Sequence, residues 1–123
     1  MSQLDVIRRK NLIEAPETVT TDWVSPSASL DDRADEFSLS LKYENGSSVV
    51  MRVWMQLSND NVNFGDIVDN SNNQPTYVDI TDPEGVVIFD INGSGAQYIR
   101  FRIEVTGGSI DVVDCKYLAR QWH

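Results

Sequence analysis

Apolar and polar side chains alternate with a period of two along three segments of this chain, residues 37–43, 51–57 and 99–105. Each segment places apolar side chains at odd positions and mainly polar ones at even positions, which is typical of strands with one buried face. Residues 86–91 form a more continuous apolar run, which predicts a strand covered on both faces. Helical periodicity does not extend beyond two turns, so the pattern predicts an all-β protein.

Turn-forming residues separate these segments. Asn45-Gly46 and Gly107-Gly108 tolerate positive φ at both central positions of a tight turn, so each predicts a hairpin between its flanking strands. The sequence Asp82-Pro83-Glu84-Gly85 predicts another turn. Short strands at this spacing, with polar turns between them, indicate an antiparallel β-sandwich that is jelly-roll-like and has seven to nine strands.

The first part of the chain differs from the rest in composition. It contains a basic run at residues 8–10, and proline, serine and threonine residues surround Trp23. Such a segment is either an extended arm that packs on another protein or a set of edge strands of the same sandwich. The sequence therefore divides into residues 1–30, an N-terminal arm or edge strands, and residues 31–123, the β-sandwich domain.

The charge of the chain limits its partners. Nineteen Asp and Glu stand against ten Lys and Arg, which gives a net charge of −9. This balance argues against nucleic acid and against an anionic membrane, because both are bound through an excess of basic side chains. Cys115 is the one cysteine, so an internal disulfide is excluded. The basic run near the start is not followed by an apolar one, so we expect no signal peptide.

Residues for catalysis and metal binding are sparse. The one histidine is His123, at the end of the chain, where an imidazole is poorly held for a catalytic triad. Residues 54–98 contain no Lys or Arg but several Asp, and residues 59–66 superficially match a calcium loop. The third position counted from Asp60 is Val62 rather than an oxygen ligand, which favours a turn-forming role. We expect no catalytic residue, no metal, no cofactor and hence no enzyme.

Large side chains that the alternation directs outward are the main candidates for binding. Trp54 shares a predicted face with Arg52, and Arg100 shares one with Arg102. Tryptophan and arginine together on an exposed sheet face are typical anchors of a protein interface. The same face can instead lie beneath the N-terminal segment or stack a sugar ring. The candidate interface residues are Arg8, Arg9, Lys10, Trp23, Arg52, Trp54, Arg100, Arg102 and Trp122.

Two stretches resemble known families. The first is Gln56-Leu57-Ser58-Asn59-Asp60 at the end of a strand, with Phe64 four residues later, and the second is Tyr98-Ile99-Arg100-Phe101-Arg102. Both are similar to galactose-binding-like, discoidin-type jelly rolls and to the small β-sandwich virion proteins of tailed bacteriophages. The chain is short, acidic and without a cysteine pair, and in this it resembles the head decoration, or cement, proteins of phages.

The resemblance to decoration proteins implies a non-enzymatic virion protein that binds the outside of the phage head and stabilises it. Its partners would be the major capsid protein and sister subunits, with a trimer favoured, and it would join the virion in the host cytoplasm. On this hypothesis residues 8–10 contact the capsid, and Trp54, Arg100 and Arg102 contact sister subunits. The alternatives are a carbohydrate-binding module and a tail, neck or baseplate component of a phage.

Overall fold

The computed structural model describes residues 4–30, 34–69, 74–92 and 96–122, which form strands, turns and bends. The prediction of an all-β antiparallel sandwich is confirmed, because nine strands form one curled antiparallel sheet and two more form a small second sheet. Within the described ranges no helix is long and apolar enough to cross a membrane. The strands are β1 (Leu4–Asn11), β2 (Glu17–Val19), β3 (Trp23–Val24), β4 (Ala28–Ser29), β5 (Glu36–Ser58), β6 (Gly65–Asp66), β7 (Val68–Asp69), β8 (Gln74–Pro75), β9 (Tyr77–Ile80), β10 (Gly85–Asn92) and β11 (Tyr98–Trp122).

Two long strands, β5 and β11, organise the larger sheet. They pair along nearly their whole length, from Ser58 opposite Tyr98 at one end to Glu36 opposite Arg120 at the other. β1, β2, β3 and β4 pair with β11, whereas β6, β9 and β10 pair with β5. The described part of the first 30 residues thus joins the sheet by pairing with β11. Every shorter strand of this sheet pairs with β5 or β11, which together form its central ribbon.

Both long strands bend in the middle, where the sequence predicts hairpins. Asn45 and Ser48 have φ angles of 56° and 50°, and Gly108 has a φ angle of 80°. A Cβ atom on Gly108 would lie 2.3 Å from the carbonyl oxygens of Ser47 and Ser48, so glycine is needed there. The hairpin predictions are wrong. One residue of each pair, Asn45 and Gly108, does supply positive φ, but it curves one of two continuous strands that pair with each other and does not reverse the chain.

The bends divide the ribbon into two layers. In layer A, residues 36–44 of β5 and 111–120 of β11 lie between β10 and β1. In layer B, residues 50–58 of β5 and 98–105 of β11 lie between β6 and β9 on one side and β3 and β4 on the other. The same two strands therefore supply the middle of both layers, and each layer has one face toward the core and one outer face.

The core consists of the alternating side chains that face inward from both layers. Leu39 and Leu41 of layer A and Phe101 of layer B are fully buried. Phe89 of β10 packs on Phe101 across the sandwich, with ring centroids 5.8 Å apart. Irregular register between residues 105 and 114 of β11 shifts the buried positions from odd to even and back again.

β10 is an edge strand, and its apolar run is covered on one face only. Val87 and Phe89 are buried, whereas Val86 and Ile88 are each 58% exposed. Among the described strands β10 pairs with β5 alone. The prediction of a strand covered on both faces is wrong, because a continuous apolar run does not reveal whether a second layer covers its outward side chains.

Candidate functional site

The outer face of layer B gathers arginine and aromatic side chains around Trp54. The register places Trp54 of β5 between Arg102 of β11 and Tyr77 of β9. The Arg102 guanidinium lies 4.7 Å from the centroid of the indole, and the Tyr77 ring centroid lies 4.9 Å from it. Trp54 is only 8% exposed as a result. The expectation of an exposed tryptophan is therefore wrong, because neighbouring strands supply side chains that cover an outward-facing residue.

A hydrogen-bond network continues this face toward the end of the layer. Asp66 of β6 accepts hydrogen bonds from Arg102 Nε at 3.2 Å, from Arg102 Nη2 at 3.1 Å and from Gln56 Nε2 at 3.0 Å. Gln56 Oε1 in turn accepts one from Arg100 Nε at 2.8 Å. The Arg100 guanidinium lies 3.8 Å from the centroid of the Phe64 ring. These hydrogen bonds link Arg100, Gln56, Asp66 and Arg102 into one network within the chain.

Arg52 completes the face on its other side. Arg52 Nε donates to Asp79 Oδ1 at 2.8 Å, and the guanidinium lies 3.8 Å from the centroid of the Tyr77 ring. The hydrogen bond to Asp79 raises the pKa of Arg52. We name this surface the arginine–aromatic face. Its members are Arg52, Trp54, Gln56, Phe64, Asp66, Tyr77, Asp79, Arg100 and Arg102.

Two polar groups of this face, the Arg100 guanidinium and the Trp54 indole N–H, lie in unfavourable surroundings. Partial burial and the nearby charge of Arg102 lower the pKa of Arg100. The indole Nε1 of Trp54 is buried, and in the described part of the chain it has no hydrogen-bond acceptor. The buried indole N–H therefore carries a desolvation cost that no hydrogen bond within the described residues offsets.

The structure brings four of the predicted interface residues together and places the others elsewhere. Arg52, Trp54, Arg100 and Arg102 all belong to the arginine–aromatic face. Trp23 of β3 packs against the core, and Trp122 is exposed near the end of β11.

The basic run lies in β1, at the edge of layer A, and its three side chains have different surroundings. The Arg8 guanidinium lies 5.9 Å from the centroid of the Tyr117 ring, and Arg9 and Lys10 are exposed. Arg8 Nη1 also donates a long hydrogen bond, of 3.4 Å, to the Ser29 carbonyl oxygen. The basic residues are therefore part of a strand of the sandwich.

Phe64, Asp66, Tyr77 and Asp79 belong to the face but are missing from the candidates chosen from the sequence. They fall in residues 54–98, which contain no Lys or Arg, and in this stretch the sequence favours turn-forming roles for the acidic residues. A signal was present, since this stretch carries carboxylates and the neighbouring strands carry Arg52, Arg100 and Arg102 at outward positions. The register that brings the two sets together joins residues far apart in the chain, and alternation alone does not reveal it.

The calcium-like loop is organised as a turn around Asp60. One carboxylate oxygen of Asp60 accepts hydrogen bonds from the backbone N–H of Val62 at 2.9 Å and of Asn63 at 2.8 Å. The Ser58 hydroxyl donates to the same oxygen at 2.9 Å. These bonds hold the pKa of Asp60 well below its usual range. The carboxylate therefore serves the turn, the role that the sequence favours for it.

Cys115 has a structural environment in the core of layer A. Its side chain is fully buried. Burial raises the pKa of the thiol to about 12, and a hydrogen bond involving Ser25 opposes this only in part. The thiol stays protonated at neutral pH and packs as a small apolar side chain.

Comparisons with known proteins bear on the fold. Neither a protein-family model nor a curated protein matches the sequence. Among solved structures, the SPBc2 prophage-derived protein YomS is similar with a TM-score of 0.55 and 14% identity, over 98% of this chain and 96% of that one. A CBM4 carbohydrate-binding module is similar with a TM-score of 0.57 and 13% identity, over 96% and 78%. A chain of infectious bursal disease virus, Gt strain, has a TM-score of 0.53 and 10% identity, over 96% of this chain and 32% of that one.

These similarities show a shared fold. A phage protein and a carbohydrate-binding module are both among the structural neighbours, as expected for a jelly-roll-like sandwich. The chain spans nearly all of the prophage protein but about a third of the virus chain. Because one fold hosts many functions, the function has to be argued from the faces of the sandwich.

Proposed function

We propose that this protein is a non-enzymatic structural component of a phage particle, and more specifically a decoration protein that binds the outside of the head. The observation that carries the proposal is the arginine–aromatic face. Arginine, tryptophan and tyrosine are the residues most enriched at the energetic centres of protein interfaces. The likeness to a prophage-derived protein over almost the full length of both chains supports a phage setting.

The arginine–aromatic face suits binding to a protein surface because its side chains are already ordered. The Arg102 and Asp66 side chains, which are 25% and 29% exposed, hold each other through two hydrogen bonds. A partner that docks here orders few new side chains, so less conformational entropy is lost on binding. In this proposal the face contacts the major capsid protein. The sequence alone assigned that contact to residues 8–10, which lie in β1 within the sandwich.

Electron microscopy of the native particle tests the location. Density for the protein on the outside of the head would support decoration. Density on the tail, neck or baseplate would overturn decoration and leave a structural virion role, and absence from purified particles would overturn both.

Co-sedimentation with purified heads tests the face itself. The double variant Phe64→Ser with Tyr77→Ser removes two aromatic side chains without touching the Arg102–Asp66 pair. We expect it to weaken head binding by at least about tenfold. Val62→Ser is the matched control, because Val62 is 77% exposed in the adjacent loop and is not part of the face. Equal binding of the double variant and the wild type would contradict the assignment.

Carbohydrate binding is the second candidate, and Tyr77 is the observation that favours it. Tyr77 is 41% exposed, and the Asp79 carboxylate and the Arg52 guanidinium beside it can hydrogen-bond the hydroxyls of a sugar. Trp54 is covered and cannot serve as a stacking platform. A glycan array followed by calorimetry on Tyr77→Ala tests this candidate, and a folded protein that binds no glycan would count against it.

A further inference from the structure

The outer face of layer A differs from the arginine–aromatic face in having a small-residue floor. Ser38 and Ser40 of β5 occupy its centre, flanked by outward-facing residues of β10, β11 and β1. A shallow depression of about 420 Å³ lies over these serines on the side of Lys116, and one of about 250 Å³ lies on the side of Ile88. We name this surface the serine face. Its members are Arg9, Glu36, Ser38, Ser40, Lys42, Val86, Ile88, Asp90, Asp114, Lys116, Leu118 and Arg120.

Several groups on the serine face lack partners of their own. Glu36 and Arg120 lie directly opposite each other on neighbouring strands, yet the described contacts include no ion pair between them. Across residues 4–30, 34–69, 74–92 and 96–122, Arg9 and Asp90 likewise form no ion pair. Val86 and Ile88 add exposed apolar surface along the β10 edge. Unpaired charges beside exposed apolar side chains mark a surface that gains stability when it is covered.

The register of layer A makes this surface complementary to itself. One row across the four strands reads Asp90, Ser38, Leu118, Arg9. A two-fold axis parallel to the strands, between β5 and β11, would place Asp90 against Arg9 of a second copy. The same rotation places the small Ser38 against the larger Leu118, so that a protruding side chain meets a depression. Identical patches that satisfy one another in this way form a closed dimer.

The next row toward Glu36 follows the same rule, whereas the row of Ile88, Ser40, Lys116 and Asn11 would place Lys116 against Ser40 and Ile88 against Asn11. The row that contains Glu36 and Arg120 would bring Glu36 of one copy against Arg120 of the other, twice. The row that contains Lys42 and Asp114 would also place opposite charges together, although each of these residues has an ion-pair partner within its own chain, Glu44 at 3.6 Å and Lys116 at 3.9 Å. Opposite charges therefore meet at both ends of the interface, and at its centre each serine meets a larger side chain, Leu118 or Lys116.

The size of the serine face is sufficient for such a contact. Four strands at a spacing of about 4.8 Å, each contributing about eight residues at about 3.4 Å, cover roughly 500 Å² per copy. Two copies then bury roughly 1,000 Å², which reaches the lower end of specific interfaces. We propose that the serine face is the interface of a two-fold symmetric dimer of this protein, formed by face-to-face packing of layer A from two copies.

Complementary charge reversal tests this proposal on the isolated full chain. Glu36→Arg and Arg120→Glu each place like charges at both Glu36–Arg120 contacts of a homodimer. We expect each variant alone to raise the dimer dissociation constant at least about tenfold in sedimentation velocity. In an equimolar mixture both contacts join opposite charges, so the heterodimer should form with nearly wild-type affinity. The double variant with both changes should dimerise as the wild type does.

Controls separate the interface from folding and from net charge. Glu84→Arg changes the net charge as much as Glu36→Arg does, but at an exposed turn outside both faces, so its dimer should persist. Ser38→Lys fills the central depression without reversing a charge and should also give monomers, with an unchanged circular dichroism spectrum. A wild-type monomer at all concentrations, a trimer, or single variants that the mixture does not rescue would overturn the proposal. Because these measurements need no phage particle, their failure is distinct from failure of the virion role.

Discussion

The arginine–aromatic face and the serine face are built on the same two strands, yet their charges behave differently. On the arginine–aromatic face Arg102 binds Asp66, and Arg52 binds Asp79, within the chain. On the serine face Glu36 and Arg120 are adjacent without forming an ion pair. The difference arises from the flanking strands, because β6 and β9 supply carboxylates and an aromatic ring to layer B. Among the described residues, β10 and β1 instead place the exposed Val86 and Ile88 and the unpaired Asp90 and Arg9 beside layer A, in which Lys42 and Lys116 pair with Glu44 and Asp114.

This comparison teaches that strand alternation specifies where side chains point but not what they meet. An outward arginine beside a flanking carboxylate helps to stabilise the monomer, whereas one without such a neighbour is available to a partner. Substitutions of the paired charges and of Trp54 on the first face should therefore act on folding, and substitutions of the unpaired charges on the second face should act on self-association.

Disrupting the bend of β11 at Gly108, which separates the two layers, should cause the largest loss of stability. Gly108→Ala places a Cβ against the carbonyl oxygens of Ser47 and Ser48 at a φ of 80°. We expect a loss of at least about 4 kcal/mol in the free energy of unfolding, measured by urea denaturation. Gly107→Ala is the matched control, because a Cβ there meets nothing within 4 Å. Similar losses in the two variants would show that the bend does not depend on Gly108.

Trp54 should be the next largest contributor, although it lies on an outer face. Trp54→Ala removes the side chain that Arg102 and Tyr77 cover, and it should cost about 3 kcal/mol in chemical denaturation. Trp54→Phe retains a ring and removes the buried N–H that lacks an acceptor, so its loss should stay under about 1 kcal/mol. A Trp54→Phe variant as unstable as Trp54→Ala would contradict this view of the indole nitrogen.

A matched pair of carboxylate substitutions sharpens the contrast between the faces. Asp66→Asn loses the charge that Arg102 binds through two hydrogen bonds and should lower the free energy of unfolding by about 1 kcal/mol. Asp90→Asn on the serine face should leave the stability of the monomer within about 0.5 kcal/mol. Thermal unfolding in dilute solution measures both, and equal losses would remove the proposed difference between self-paired and unpaired charges.

The smallest expected effect concerns the turn that leads into Phe64 and the arginine–aromatic face. Hydrogen bonds from Asn63 and Val62 depress the pKa of Asp60 in the folded state. Its stabilising contribution is therefore present above the unfolded value of about 4 and is lost as pH falls through the folded value.

Carboxyl NMR titration measures this effect directly. Asp60 should stay ionised well below pH 4. The resonances of the Phe64 ring should move as Asp60 becomes protonated, because the turn that precedes Phe64 then loses its acceptor. Asp60→Asn is the control, in which this acid-dependent movement of the ring should disappear. An ordinary titration of Asp60 would contradict the turn bonding.

Much of the fold follows from the sequence because strand alternation is local. The segments around Leu39, Val53 and Phe101 all form strands with the predicted faces inward. The sequence predicts positive φ at both residues of Asn45-Gly46 and of Gly107-Gly108, and the structure confirms it for Asn45 and Gly108, but in bends of continuous strands and not in hairpins. A turn-forming pair reports the dihedral angles available to it, whereas the partner of each strand depends on residues up to 118 positions away, as in Leu4 opposite Trp122.

The residues of the candidate site likewise fall into those that strand alternation predicts and those that only tertiary pairing reveals. Arg52, Trp54, Arg100 and Arg102 were found because each sits on an outward position of a clear strand. Asp66 and Tyr77 were not, because they lie in short strands that exist only through pairing with β5. Their placement is a result of tertiary structure, and so is the covering of Trp54 that changes its role.

The dependence of the sheet on β11 has a consequence for how the chain acquires its structure. The four N-terminal strands find their hydrogen-bond partners in β11, as in Leu4 opposite Trp122. During synthesis these strands leave the ribosome long before β11 has been made. Their backbone N–H and C=O groups therefore remain unpaired until then. Such distant pairing slows folding and favours aggregation of the nascent chain. We infer that the sandwich closes in a late, cooperative step after synthesis reaches β11, and that truncations within this strand would abolish the whole fold.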